Sequence, residues 1–333
     1  MMLSNPAQPN QDVAIRLDAL RRYFGSTKAV DGISLTIMRG EIFGLVGPDG
    51  AGKTTTMRLL TSIMEPTSGK AMVGGFDVVN DAELVKETIG YMSQKFGLYQ
   101  DLSVIENLDF FADLYGVPGK DRAATYDRLL SFSNLTPFKR RLAGRLSGGM
   151  KQKLGLACAL VHAPSILFLD EPTNRVDPLS RRDFWRILTK LHRQNVTIFV
   201  STAYLDEAER CSRIGLLHEG KLLAVGTPAE IKCLMRGTIL EVTTSSPRTA
   251  VTLLKHEFPA DSVAIFGDRI HLAVENSELS MNDVNRILGR AKIAVEGVRS
   301  IPPTLEDVFV SMLAETNGSS YQLNISREAG KLE

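Results

Sequence analysis

Glu41-Ile-Phe-Gly-Leu-Val46-Gly47-Pro48-Asp49-Gly50-Ala51-Gly52-Lys53-Thr54-Thr55 is the stretch that decides the fold. An apolar, β-branched run over residues 41–46 leads into the pattern GxxxxGK[ST] at residues 47–54, and a helical pattern follows over residues 54–64. Strand, loop and helix in that order are the setting in which this pattern cradles phosphate. Glycine is needed because backbone N–H groups must approach phosphate oxygens with no Cβ in the way, and the helix N-terminus adds partial positive charge. Gly47, Pro48, Asp49, Gly50, Ala51, Gly52, Lys53, Thr54 and Thr55 are the candidate phosphate-binding residues. Lys53 is placed to reach the β and γ phosphates, and Thr54 to ligand Mg²⁺. A glycine-rich turn that binds nothing is the alternative, and the matched strand and helix argue against it. The loop alone leaves open which nucleotide enzyme carries it.

A second apolar strand over residues 166–169 ends in Asp170-Glu171-Pro172. Ligands of open parallel sheets gather at the carboxyl ends of strands, so both acids are expected beside the phosphate loop. Asp170 suits the shell of Mg²⁺, and Glu171 suits a base or orienting group for an attacking water. Two solvated acids closing a strand are the alternative.

Outward from these motifs, short β-branched runs alternate with helical patterns from Val13 to about Leu234, which is α/β architecture around a largely parallel sheet. After Gly237 the pattern changes to a strand at 238–243, a helix after Pro247, strands at 262–266 and 269–274, a helix at 281–291, a strand at 293–298 and a helix from about Thr304. That order, βαββαβ with an extra helix, predicts a small ferredoxin-like α+β domain. The expected divisions are a flexible arm at 1–12, a nucleotide-binding domain at 13–236, an accessory domain at 237–315 and a flexible tail or linker at 316–333.

Composition narrows the partners. Among 333 residues, 39 Lys and Arg against 38 Asp and Glu give a net charge of +1, so no whole-chain attraction to nucleic acid or anionic lipid is expected. The cluster Lys139-Arg140-Arg141 with Arg145 reads as a solvated face. Cys158, Cys211 and Cys233 are far apart and odd in number, which reads as reduced thiols of a cytosolic protein. The longest stretch free of ionised side chains, residues 154–169, is interrupted by His162, Pro164 and Ser165 and is shorter than a spanning helix requires. No membrane crossing and no signal peptide are expected.

Leu146-Ser147-Gly148-Gly149-Met150-Lys151-Gln152 makes the reading specific. Ser147 is placed to cap a helix whose first N–H groups form an anion site, and the stretch resembles the signature motif of ATP-binding cassette (ABC) proteins. Other motifs of that family follow in order. Gln94 in Gly90-Tyr-Met-Ser-Gln94 resembles the Q-loop glutamine, Asn174-Arg-Val-Asp177-Pro178 resembles the D-loop, and Phe24 before Gly25 resembles the aromatic that stacks on adenine, with Tyr23 as a substitute. The resemblance implies a P-loop NTPase fold of the ABC nucleotide-binding type, with ATP and Mg²⁺ as cofactors. It implies Glu171, Lys53 and Gln94 in catalysis, Thr54, Gln94 and Asp170 around the metal, and Ser147, Gly148 and Gly149 on the ATP of a second cassette. Membrane-spanning permease subunits and that second cassette, identical or not, are the implied partners, with no nucleic acid, at the cytoplasmic face of the plasma membrane.

Residues 89–92, 96–99, 102–108 and 303–309 further resemble ATPase subunits of bacterial ABC-2-type exporters, with drug efflux the favoured cargo. One position departs from the family. In Val200-Ser-Thr-Ala203-Tyr-Leu-Asp-Glu-Ala-Glu209 the usual switch histidine is Ala203, whose methyl neither donates nor accepts a hydrogen bond. Slow or absent hydrolysis with ATP binding preserved is therefore expected, as in the N-terminal half of tandem exporter ATPases, which this version resembles. The alternatives are a soluble ABC ATPase unconnected with transport and a hydrolysis-deficient regulatory module. Phe96, Leu98 and Tyr99 are either a docking patch for a membrane subunit or ordinary packing residues.

Overall fold

Every residue of the strands Ile42–Val46, Ile166–Asp170 and Thr197–Thr202 is buried, as strands covered by helices on both faces must be. They form the middle of a six-stranded sheet in the order Lys221–Gly226, Arg213–His218, Ile42–Val46, Thr197–Thr202, Ile166–Asp170, Ile89–Met92. From Arg213–His218 to Ile89–Met92, neighbouring strands are parallel. Phe43, Phe199 and Phe168 sit side by side on neighbouring strands, with ring centroids 5.6 and 5.5 Å apart. A second, antiparallel sheet, Thr27–Met38, Val13–Phe24, Ser68–Val73 and Phe76–Asp77, shares its hydrophobic core with the first.

The computed structural model describes residues 12–95, 97–235, 237–259 and 262–316. Phe96, the expected arm before Asp12 and the expected tail after Thr316 lie outside the described residues. The chain divides into two units between Val225 and Gly226. The composition change lies further along, at Gly237, but the intervening helix Pro228–Cys233 packs on Leu305–Thr316 and so goes with the second unit. No helix among the described residues is long and apolar enough to cross a membrane.

Register places the functional loops in the first unit. Val46 is level with Thr202, Asp170 with Ser201, and Met92 with Leu169. The segments that follow these residues therefore emerge together at the carboxyl edge of one sheet. The helix after the phosphate loop is shorter than expected, Lys53–Leu60 rather than 54–64. Its end is local chemistry: the Thr61 hydroxyl donates back to the Met57 carbonyl at 2.9 Å, and Ser62 turns left-handed at φ 55°.

The second unit has the expected ferredoxin-like topology. Its antiparallel sheet runs Val263–Phe266, Arg269–Val274, Thr238–Thr244, Val295–Ile301, and the helices Pro247–Glu257 and Ser277–Arg290 supply its main core. The second helix starts before the expected residue 281 because the Asn276 side chain accepts from the Leu279 N–H. Alternation along the strands turns Glu241 and His271 away from that core. There Glu241 accepts from Arg269 at 2.8 Å and from Arg299 at 2.6 Å, while His271 Nδ1 lies 2.8 Å from Asp307 on the last helix.

The Arg299 hydrogen bond, helped by Arg269, holds the Glu241 carboxyl down at about 2. Because the folded value lies below the unfolded one, this network stabilises the unit fully above the ordinary carboxylate range and loses that contribution as pH falls from about 4.5 to about 2. Thermal melting of the full chain should show wild type more stable than Glu241→Gln at neutral pH. The gap should close across that acid window. A gap independent of pH would show that the charge of Glu241 is not what holds the two arginines.

Candidate nucleotide site

Two glycines of the phosphate loop are fixed by close approach. A Cβ on Gly47 would lie 2.2 Å from the Leu217 carbonyl, and one on Gly52 would lie 2.2 Å from the Ala29 carbonyl. Gly52 also has φ 106° and sits at the N-terminus of Lys53–Leu60 with no side-chain cap, so the first N–H groups of that helix have no side-chain acceptor. Loop and helix together form an anion cradle.

Lys53 is almost wholly buried and reaches back over the loop, donating to the Gly47 and Pro48 carbonyls at 2.8 and 2.9 Å. Its third partner is Glu171 Oε1 at 3.1 Å. Glu171 Oε2 accepts from Gln94 Nε2 at 2.8 Å and from Asn174 Nδ2 at 3.0 Å. The Glu171 backbone is left-handed, φ 47°, and its N–H donates to Ser201 Oγ at 3.0 Å. A non-glycine residue in that region is strained, and such strain collects at functional sites.

Asp170, next to it, is buried, and burial raises its carboxyl above the ordinary value against the opposing hydrogen bonds of Ser201 and Thr54. Ser201 Oγ donates to Asp170 Oδ1 at 2.7 Å and Thr54 Oγ1 donates at 3.1 Å. A carboxylate and a hydroxyl of this kind are the hard oxygen ligands that Mg²⁺ takes alongside substrate phosphates. Thr54 and Asp170 thus fit a Mg²⁺ ion, whereas the Gln94 amide, the third expected ligand, is turned to Glu171.

Beyond the carboxylates, a cavity of about 110 Å³ opens between Asp49, Glu171, Asn174, Ala203 and Tyr204. Thr202 and Tyr204 line the same cavity, but each has a partner other than Glu171. Thr202 Oγ1 donates to the buried Glu207 at 2.8 Å, and the Tyr204 ring lies 4.1 Å beneath the Arg181 guanidinium. Phe24 is 44% exposed with the Arg22 guanidinium 4.8 Å over one face. Tyr23, its possible substitute, is tied by its hydroxyl to Asp31 at 2.6 Å.

Ser147 caps the helix Gly148–Ala159 by accepting from the Met150 N–H at 3.3 Å. Among the described residues no hydrogen bond joins Ser147, Gly148 or Gly149 to Lys53, Asp170 or Glu171. The two glycines differ: a Cβ on Gly149 would lie 2.4 Å from Ser180 Oγ, while one on Gly148 meets nothing. Ser201 and the Asn174 amide escaped the sequence reading. Ser201 was in principle accessible, because aligning the two apolar runs 166–169 and 197–200 brings it level with Asp170.

With this geometry in place, the chain can be compared with known proteins. Over residues 30–174 it matches the ABC transporter family, and over 226–313 it matches the C-terminal domain of DrrA1-3-like ATP-binding proteins. The daunorubicin resistance ATP-binding protein DrrA3 of Streptomyces coeruleorubidus is 34% identical over 310 residues, covering 91% of this chain and 97% of that one. The chain belongs to the ABC transporter ATP-binding family.

The probable multidrug ABC transporter ATP-binding protein YbhF of Escherichia coli (strain K12) is 43% identical over 317 residues, which is 94% of this chain and 54% of that protein. The chain thus spans about half the length of this relative. The solved ATP-binding subunit of an ABC transporter superposes with a TM-score of 0.60 at 27% identity, over 66% of this chain and 92% of that one. A dimeric cassette bound to ADP and Pi gives 0.58 at 25%, over 64% and 98%. The fold is that of the P-loop ABC cassettes, a family of ATP-hydrolysing domains, and the similar proteins include ATP-binding proteins of drug resistance, of bacitracin transport and of Nod factor export.

The unequal space around the two signature glycines is directly testable. Gly149→Ala must push Ser180 aside and should cost about 1–3 kcal/mol, whereas Gly148→Ala should stay within about 0.5 kcal/mol of wild type. Denaturant unfolding of the two variants measures this, and equal losses would show that Gly149 is not fixed by the contact with Ser180.

Proposed function

We propose that this chain is an ATP-binding and ATP-hydrolysing cassette that powers a membrane exporter, with the residues around Lys53 and Glu171 as its catalytic site. The observation that carries the proposal is the joining of Lys53, Gln94 and Glu171 on one side and of Thr54 and Asp170 on the other at a single sheet edge. The uncapped helix and glycine loop bind the phosphates, with Gly47 to Thr55 supplying the cradle. Lys53 exchanges Glu171 Oε1 for the β and γ phosphates, and Phe24 offers its exposed ring to the adenine.

Thr54 and Asp170 hold Mg²⁺, which when bound supplies charge neutralisation on the phosphate oxygens. Gln94 turns between Glu171 and that ion. Freed of Lys53, Glu171 accepts a proton from the attacking water as the water oxygen bonds to the γ phosphorus. The bridging P–O bond breaks with its electron pair going to ADP. Ser147, Gly148 and Gly149 lie apart from this cluster and are assigned to the ATP of a second cassette. For Gly148 the support is that, among the described residues, no atom lies where a Cβ would stand.

We assign the membrane partner to the exposed aromatic patch where the Tyr99 and Phe110 rings meet, tilted by 58° with centroids 4.5 Å apart, beside Leu98. The working place is then the cytoplasmic face of the membrane, with the chain peripheral and paired with an identical or nonidentical cassette. Drug export is the cargo reading, supported by the multidrug, daunorubicin and bacitracin proteins among those it resembles. Co-purification of the membrane subunit should be lost in Leu98→Ser with Tyr99→Ser while ATP binding is kept. Retained association would remove the patch from the interface.

The cavity at Ala203 favours a second reading, in which ATP is bound and held but turned over slowly. Steady-state hydrolysis by the chain separates the two readings, with Lys53→Ala as the blank. A rate near the blank that Ala203→His restores marks a nucleotide-holding half-site. A rate well above the blank that histidine leaves unchanged shows that Glu171 works without a switch side chain, and Glu171→Gln should then lower it about 10²–10⁴-fold.

A further inference from the structure

Glu171 has three side-chain donors, and two of them have other employment once ATP is bound. Lys53, on Oε1, would go to the phosphates, and Gln94, on Oε2, would offer its amide to Mg²⁺. The donor that remains is Asn174 Nδ2, 3.0 Å from Oε2. We propose that Asn174 is the positioning residue that holds the Glu171 carboxylate in register with the attacking water, the task for which the switch position, Ala203, offers no hydrogen bond.

The neighbouring side chains leave Asn174 that task. Thr202 Oγ1 is committed to Glu207 and accepts from the Tyr204 N–H at 3.0 Å, and Ala203 presents a methyl. Thr173 Oγ1 donates to the same Glu207, which is fully buried. Asn174 itself is held in a tight turn: its N–H donates to the Glu171 carbonyl at 3.1 Å, between two left-handed residues, Glu171 at φ 47° and Arg175 at φ 59°. The latch of Thr173 and Thr202 on Glu207 joins this turn to the end of the Thr197–Thr202 strand, so the amide is carried on rigid backbone. With Oε2 held by Asn174, the oxygen that Lys53 vacates, Oε1, is the one left to take the proton of the water as its oxygen bonds to the γ phosphorus and ADP departs with the electron pair.

This inference rests on Glu171 being the base, and the test separates the two claims. In the full chain, kcat, KM and the ATP dissociation constant under non-hydrolysing conditions are measured for Asn174→Ala and for the isosteric Asn174→Asp. Thermal melting of each variant guards against misfolding. Loss of a hydrogen bond to a charged group should lower kcat about 10- to 100-fold in Asn174→Ala with ATP affinity little changed. Asn174→Asp keeps the volume but turns a donor into a like charge beside Glu171, so it should be slower still.

The opposite rank, Asp near wild type and Ala slow, would show that Asn174 fills space and does not orient, and unchanged kcat in both would also overturn the inference. If Glu171→Gln is inactive in either case, the base assignment stands while this inference falls; if Glu171→Gln turns over normally, the base assignment itself fails. Should the wild-type rate equal that of Lys53→Ala, the same series is read in the Ala203→His background. A blank rate there overturns both claims.

Discussion

The buried ion pair between Lys53 and Glu171 governs the nucleotide-free site. Both side chains are more than nine-tenths buried, and neither charge can be left there alone without a large desolvation cost. Each therefore compensates the other, at 3.1 Å, and Lys53 spends its remaining donors on the loop carbonyls of Gly47 and Pro48. On the proposed function, phosphate arriving in the loop would take Lys53 from Glu171, so that binding would be an exchange of partners. The cost of that exchange would fall on Glu171, which is buried beside Lys53. Hydrogen bonds from Gln94 and Asn174 at the carboxylate, and from the Glu171 N–H to Ser201, are the means by which the fold keeps it in place.

That exchange is possible because four chain segments reach one sheet edge, and the sheet does so through register. Parallel pairing sets Val46 beside Thr202 and Asp170 beside Ser201, so the loop, the two acids and the switch segment emerge level with one another. A slip of one residue in any of these buried strands would exchange the side chains packed on its two faces and shift the segment that follows it out of line with its neighbours. Aromatic packing of Phe43, Phe199 and Phe168 across three neighbouring strands therefore acts on the site at a distance. Core packing and phosphate chemistry are here the same constraint.

How much was legible in the sequence follows from how local each feature is. The phosphate loop, the Asp170-Glu171 pair and the Ser147 cap are contained in short stretches whose side chains act on their own backbone, and they read correctly as loop, strand end and helix start. The ferredoxin-like order of the second unit was legible for the same reason, since alternation and turn residues mark each strand. The contacts that tune the site were not. Gln94 reaches Glu171 only after distant strands pair, and no spacing along the chain encodes that distance, while Ser201 comes level with Asp170 only once the two apolar runs are known to be paired strands. Asn174 is close to Glu171 in sequence, but its amide faces the carboxylate because of two left-handed residues that a string of letters does not display. In the second unit nothing in the sequence marks Glu241 as buried, because Arg269 and Arg299 come to it from its two neighbouring strands.

Ala203 shows how a site can lose one contact and keep its shape. The switch segment is held by Thr202 and Thr173 on the buried Glu207, and by Arg181, which approaches Glu207 at 3.4 Å and covers Tyr204. None of these contacts passes through the side chain at position 203, so a methyl there costs the fold nothing and leaves a cavity where a hydrogen-bonding group would stand. Asn174, which lines the same cavity, is one of the side chains that donate to Glu171. A cavity so placed is large enough for water and is bordered by the carboxylates of Asp49 and Glu171, so it is a polar space and not a dry defect. On the proposed function the loop, the helix N-terminus and Lys53 would hold ATP without using the side chain at position 203, although Asp49 of the loop borders the same cavity. The division between holding nucleotide and cleaving it would then run between Lys53 and Glu171, along the ion pair that joins them at 3.1 Å.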